Sequence, residues 1–180
     1  MSPFPRTLGL LAVALALAGC DVHFDSTDGV AQRLGSSHFA AGGALNVVEP
    51  VAGDAFLAGG RVAVATEVEG DLVAAGGEVS VGGAVGDDLY GAGGEVQLDA
   101  IVSGNARLAG GDVTVGPATV VRGNAKLSGG RVRFEGSTEG GLEAMGGQVT
   151  VDGEVQGDAE IRAEEVEIGP QARIGGRLVV

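Results

Sequence analysis

The chain has 180 residues, of which 35 are glycine and 3% are aromatic, with no tryptophan. Its 44% apolar fraction is carried mostly by Ala, Val and Leu, enough to exclude a disordered chain and suited to a core one small residue deep; with no Gly-X-Y period it is not a collagen. A net charge of −13 repels phosphate and anionic headgroups, and two histidines with one cysteine supply neither a zinc site nor a nucleophile–base pair, so the composition predicts no nucleic-acid partner, no cofactor and no enzyme.

The N-terminus reads as an address. Arg6 gives a short positive segment, and Leu8 to Gly19 is an apolar run of 12 residues, right for a signal sequence and too short to cross a bilayer. The run ends Leu17-Ala18-Gly19-Cys20, which resembles a bacterial lipobox. That resemblance implies a signal peptide over 1–19, cleavage after Gly19, and a diacylated Cys20 that anchors the mature chain to a membrane. Loss of Arg6 would take the net charge from −13 to −14. Residues 20–36, which include His23 and Phe24, have no period and read as a tether or N-terminal cap.

Residues 37–180 are one repeat. Gly-Gly pairs begin at 42, 59, 76, 93, 110, 129 and 146, in steps of 17 except for a single step of 19, and the next position holds Ala163-Glu164. A second landmark precedes each pair, as in Gly53-Asp54, Gly70-Asp71, Gly104-Asn105 and Gly157-Asp158. Within a unit the residues alternate apolar and polar in three short pieces, the strand period, and glycine at the boundaries permits φ > 0 at corners. The pattern predicts about eight triangular coils of a single-stranded β-helix, a rod on the order of 40 Å tall at ~4.8 Å per coil.

The columns sharpen this expectation. Two and four residues after each pair stand Val62 with Val64, Val79 with Val81, Val96 with Leu98 and their equivalents, predicted to point inward. In the piece before each pair the two inward positions are one large and one small: Ala55 with Leu57, Leu72 with Ala74, Leu89 with Gly91, Ala106 with Leu108. The volume stays nearly constant while the order flips, as a closed interior of fixed cross-section demands. The first coil departs, with His38 and Ala40, and His38 reads as an edge or capping residue. Gly116-Pro117 and Gly169-Pro170 lengthen two coils at the third corner.

The unit Gly-Asp-Leu-Val-Ala-Ala-Gly-Gly-Glu-Val-Ser-Val at 70–81, repeated at this spacing, resembles the bactofilins, the polymer-forming cytoskeletal proteins of bacteria. The resemblance covers about 80% of the chain. It implies a right-handed triangular β-helix, end-to-end self-assembly without nucleotide, and a scaffolding role with no catalytic residues. The lipobox departs from that family and moves the expected location to the periplasmic face or surface of a bacterium. The partner is then a second copy or an envelope protein. The alternative is a monomeric adhesin-like or assembly-factor lipoprotein.

Three surface features carry the remaining expectations. The outward column Phe39, Phe56, Val73 and Tyr90 is an apolar ridge suited to a partner, unless residues 21–36 fold over it. The chain runs apolar to Leu178-Val179-Val180, a candidate assembly edge. Charge is segregated, with a balance of +4 over 107–133 and −9 over 135–168, suited either to solvation or to pairing between copies. The Asp/Asn column (Asp54, Asp71, Asp88, Asn105, Asn124, Asp158) reads as turn chemistry rather than a calcium ladder.

Overall fold

The structure, a computed structural model, describes residues 29–180. The signal segment 1–19, Cys20, His23 and Phe24 lie outside the described residues. In chain order the strands are β1 (Gly29–Leu34), β2 (Ser37–Val47), β3 (Ala55–Val64), β4 (Leu72–Val81) and β5 (Leu89–Leu98). Short and long strands then alternate: β6 (Ile101–Val102), β7 (Ala106–Val115), β8 (Val120–Val121), β9 (Ala125–Phe134) and β10 (Ser137–Thr138). The last are β11 (Leu142–Val151), β12 (Glu154–Val155), β13 (Ala159–Ile168), β14 (Arg173–Ile174) and β15 (Leu178–Val179).

One sheet has the order β1-β2-β3-β4-β5-β7-β9-β11-β13-β15, parallel from β2 onward with β1 antiparallel at its edge, and the remaining short strands form a second parallel sheet from β6 to β14. Bridges Val51↔Val68, Val68↔Val85 and Val85↔Val102 carry the second sheet to the N-terminal coils. The molecule is thus a β-solenoid of about eight coils, as the period predicts. Register follows the glycines: Phe56 lies on Phe39, Val73 on Phe56, Tyr90 on Val73. The two lengthened coils fold their extra residues into a turn. Thr119 N donates to Gly116 O at 3.0 Å and Ala172 N to Gly169 O at 3.2 Å, with proline at the position that favours its fixed φ.

Two expectations about the corners need correction. The first two pieces of each unit are not separate strands: they form one ten-residue strand that bends at the Gly-Gly pair, whose second glycine drops out of the ladder. Nor do the corner glycines serve a positive φ. Gly35, at φ 62° in the β1–β2 turn, is the only glycine of that kind among the described residues. The pairs are glycine because coils approach closely there. A Cβ on Gly76 would meet the Gly59 carbonyl oxygen at 2.6 Å, and one on Gly93 the Gly76 oxygen at 2.8 Å.

The inward columns are buried as expected, from Ala55 and Leu57 through Leu142 and Ala144 to Ala159 and Ile161, except at the end of the last coil, where Val166 is half-buried and Ile168 exposed. A fifth column escaped the sequence reading. It is Val51, Val68, Val85, Val102, Val121, Thr138 and Val155, all buried, lining the third run. Compensation also crosses coils. A Cβ at Gly91 would lie 2.8 Å from Cδ2 of Leu108, and one at Gly153 would lie 3.0 Å from Cε1 of Phe134, so each glycine makes room for a large neighbour.

This packing distinguishes two exchanges. Ala125→Leu should overpack its coil and cost about 1–3 kcal/mol, and Ala125→Leu with Leu127→Ala should recover most of that. The same exchange at Ala106 and Leu108 should recover less, because removing Leu108 also empties the space beside Gly91. Denaturant midpoints of the four variants measure the difference. Equal recovery at both sites would contradict the shared interior.

Candidate interaction surfaces

The solenoid positions its outward residues by the same register that fills its core. Phe39, Phe56 and Tyr90 are 36–40% exposed, and Val73 between them is half-buried. The Phe39 and Phe56 rings stack, centroids 4.8 Å apart and 5° from parallel. The next residue in the column closes the ridge. Arg107 places its guanidinium 5.3 Å from the Tyr90 ring centroid and donates to the Tyr90 hydroxyl at 3.1 Å and to Asp88 Oδ2 at 3.2 Å. Beyond it the column turns charged, with Lys126 bonded to Glu143 at 2.9 Å.

The described part of the N-terminal segment does not cover this ridge. β1 instead adds to the sheet edge, antiparallel to β2, with Gln32 opposite Phe39 and Leu34 opposite Ser37. The turn between them is the two-residue loop Gly35-Ser36, where a primed turn needs the positive φ that Gly35 supplies. His38, next to the turn, is buried in the first coil, with its backbone N–H bonded to Asp54 O at 2.7 Å.

At the other end the edge is open. β15 pairs with β13 through Ala159↔Leu178 and Glu160↔Val179, and from Ile161 onward β13 has β11 as its single neighbour among the described residues. Ile168, inward by register, is 43% exposed, and Leu178, Val179 and Val180 are exposed too. The register separates the two valines. Val179 continues the outward column above Glu160, while alternation from Leu178 puts Val180 on the interior side.

The Asp/Asn column is structural, in a form the sequence did not suggest. These side chains do not bond their own turns. Each Oδ1 accepts the backbone N–H of the next coil: Asp54 from Asp71 at 3.1 Å, Asp71 from Asp88 at 2.9 Å, Asp88 from Asn105 at 2.8 Å, Asn105 from Asn124 at 3.0 Å. Asp99 and Asp152 do the same for the two wide turns, accepting from Ala118 at 3.2 Å and Gln171 at 2.7 Å. Among the described residues no group of three His, Cys, Asp or Glu side chains gathers as metal ligands.

The basic block is largely paired within the chain and the acidic block only in part. Arg61 pairs with Glu78, Arg131 with Asp112, Lys126 with Glu143 and Arg133 with Glu135, mostly one coil apart. All are exposed, so each contributes about 0.2–1 kcal/mol at most.

Asp88 is the best-held of the column. The Asn105 backbone N–H keeps its carboxyl below the usual carboxylate range, helped by the Asn105 amide, Arg107 and the Tyr90 hydroxyl against a smaller opposing cost of burial. Asp88→Ala should orphan the Asn105 N–H and cost about 1–3 kcal/mol. Asp88→Asn, which copies the residue found at 105 and 124, should cost less. A carboxyl held lower in the folded chain stabilises it above the unfolded value of ~3.9 and loses that contribution as pH falls through the folded one. The gap in unfolding midpoint between the wild type and Asp88→Asn should therefore be full at neutral pH and close in acid.

Compared with known proteins, the chain matches no family model, no curated protein and no solved structure.

Proposed function

We propose that this chain is a membrane-anchored, bactofilin-like scaffold of the bacterial envelope that assembles with copies of itself through its C-terminal coil. The observation that carries the reading is the inequality of the two ends. At the first coil, β1 occupies the edge of β2 over Ser37–Gly42. At the last, the edge of β13 from Ile161 onward is unoccupied, with Ile168 and Val180 exposed beside it. An open edge with apolar flanks recruits another strand. Continuing the solenoid head to tail would require displacing β1, so the contact we infer pairs two C-terminal edges about a two-fold axis. The location rests on the lipobox residues Leu17 to Cys20.

A second reading is supported by the exposed Phe39–Tyr90 ridge: a monomeric adhesin-like or assembly-factor lipoprotein that docks an envelope partner there. Sedimentation of the mature chain separates the two, because the scaffold runs as an oligomer and the binding module as a monomer. Val180→Lys should shift the oligomer to monomer by placing an unpaired charge between the joined coils. Val179→Lys, set beside Glu160 in the outward column, should leave it intact. Identical sedimentation of the wild type and Val180→Lys would remove the C-terminal contact.

The anchor has its own check. Cys20→Ser should release the chain from membranes or leave it as uncleaved precursor. A mature-sized Cys20→Ser chain that still floats with membranes would contradict the lipoprotein reading.

A further inference from the structure

The outward side of the first run is divided along the rod. From β2 to β5 it carries no charge: its first column is Phe39, Phe56, Val73 and Tyr90, and its second is alanine at every position from Ala41 to Ala92. Over the same coils the second run presents Arg61, Glu78 and Glu95, and the third Glu67 and Glu69. From β7 onward the first run is charged as well. The chain, at net charge −13, thus has one uncharged, aromatic-bearing patch, at the end where β1 enters.

We propose that this patch lies against the bilayer, its rings in the headgroup–acyl boundary of zwitterionic lipid. The inference rests on the anchor of the function proposed above and not on the C-terminal contact. Cys20 is nine positions before Gly29, and nine extended residues span at most ~30 Å. β1 borders the patch and pairs directly with β2, so the anchor holds this side of the rod within that distance of the membrane. Aromatic side chains beside an apolar surface suit the interface, where Phe buries its ring and Tyr buries its ring while its hydroxyl stays wet. The Tyr90 hydroxyl is placed for this, bonded to Asp88 and Arg107 at the patch margin. Size argues against a second copy as occupant. Three rings exposed by 36–40% present roughly 60–100 Å² each, so the patch totals a few hundred Å², below the ~800 Å² per partner of a stable pair. Such a contact suffices only where a tether already holds the surfaces together. The flanking Asp54, Asp71 and Asp88 disfavour anionic headgroups.

The chain has no tryptophan, so single reporters are clean. Phe56→Trp and Val73→Trp test the patch, and Ser80→Trp, outward on the second run of the same coil, is the control. Each lipidated full-length variant is placed in phosphatidylcholine vesicles with brominated acyl chains. The patch reporters should lose most of their emission and the control little, and adding phosphatidylglycerol should reduce the loss. Unquenched patch reporters, in protein whose mass confirms the diacyl cysteine, would overturn the membrane contact and leave the anchor standing. Absence of the diacyl cysteine would overturn the anchor and this inference with it. Unquenched Phe56→Trp together with a Phe56→Cys dimer formed on the vesicles would assign the patch to a second copy instead.

Discussion

Each residue of this solenoid packs first against its own equivalent one coil away, 17 or 19 positions along the chain. That single constraint sets the rest. A column of identical environments can hold only residues that stack on one another, so the interior becomes ladders of valine and leucine. A cross-section closed by the neighbouring coils has a fixed volume. Large and small residues therefore alternate within a coil, as Leu72 with Ala74, and between coils, as Leu108 over Gly91. The core is never more than one layer deep, which is why so few aromatic residues suffice and why Phe134 needs Gly153 beside it.

Polar groups obey the same translation. A carboxylate at the corner before each long strand cannot reach far along its own coil, but the backbone N–H of the next coil lies one stacking distance away. The Asp54–Asn124 column becomes a set of rungs holding successive coils together. Ion pairs such as Arg61–Glu78 and Arg131–Asp112 are likewise one coil long. Charge that looks segregated along the sequence is therefore partly neutralised between neighbours, and it offers little to a second copy. An acidic surplus remains after residue 135.

The period, the coil number and the four inward columns of the long strands were legible because glycine pairs mark the register and strand alternation runs from them. The column of the third run is the exception, since its strands are two residues long and two points carry no period. The reason for the corner glycines was hidden too. Conformational freedom and close approach select the same residue, and only the 2.6 Å clash at Gly76 separates them. β1 could not be foreseen because its six residues do not repeat, and what identifies it is its partner β2 rather than any pattern of its own. The ridge was legible as a column. So was its limit at Arg107, where the column turns charged; the stacking of that cation over Tyr90 was not, because it is a matter of side-chain geometry.

A stack of identical coils has no cleft, so its specificity must come from where translation fails. It fails at three places. At the first coil an antiparallel strand replaces the parallel neighbour, which satisfies the edge and prevents another coil from adding in register. At the last, β13 keeps an unoccupied edge and the interior columns run out into exposed Ile168. Along the first run, charge is absent over four coils, leaving Phe39, Phe56, Val73 and Tyr90 in one column beside β1. A closed end, an open end and an uncharged flank give a rod a direction. They are the features on which the scaffold proposed above rests, since such a rod can be held on one side and joined at one end.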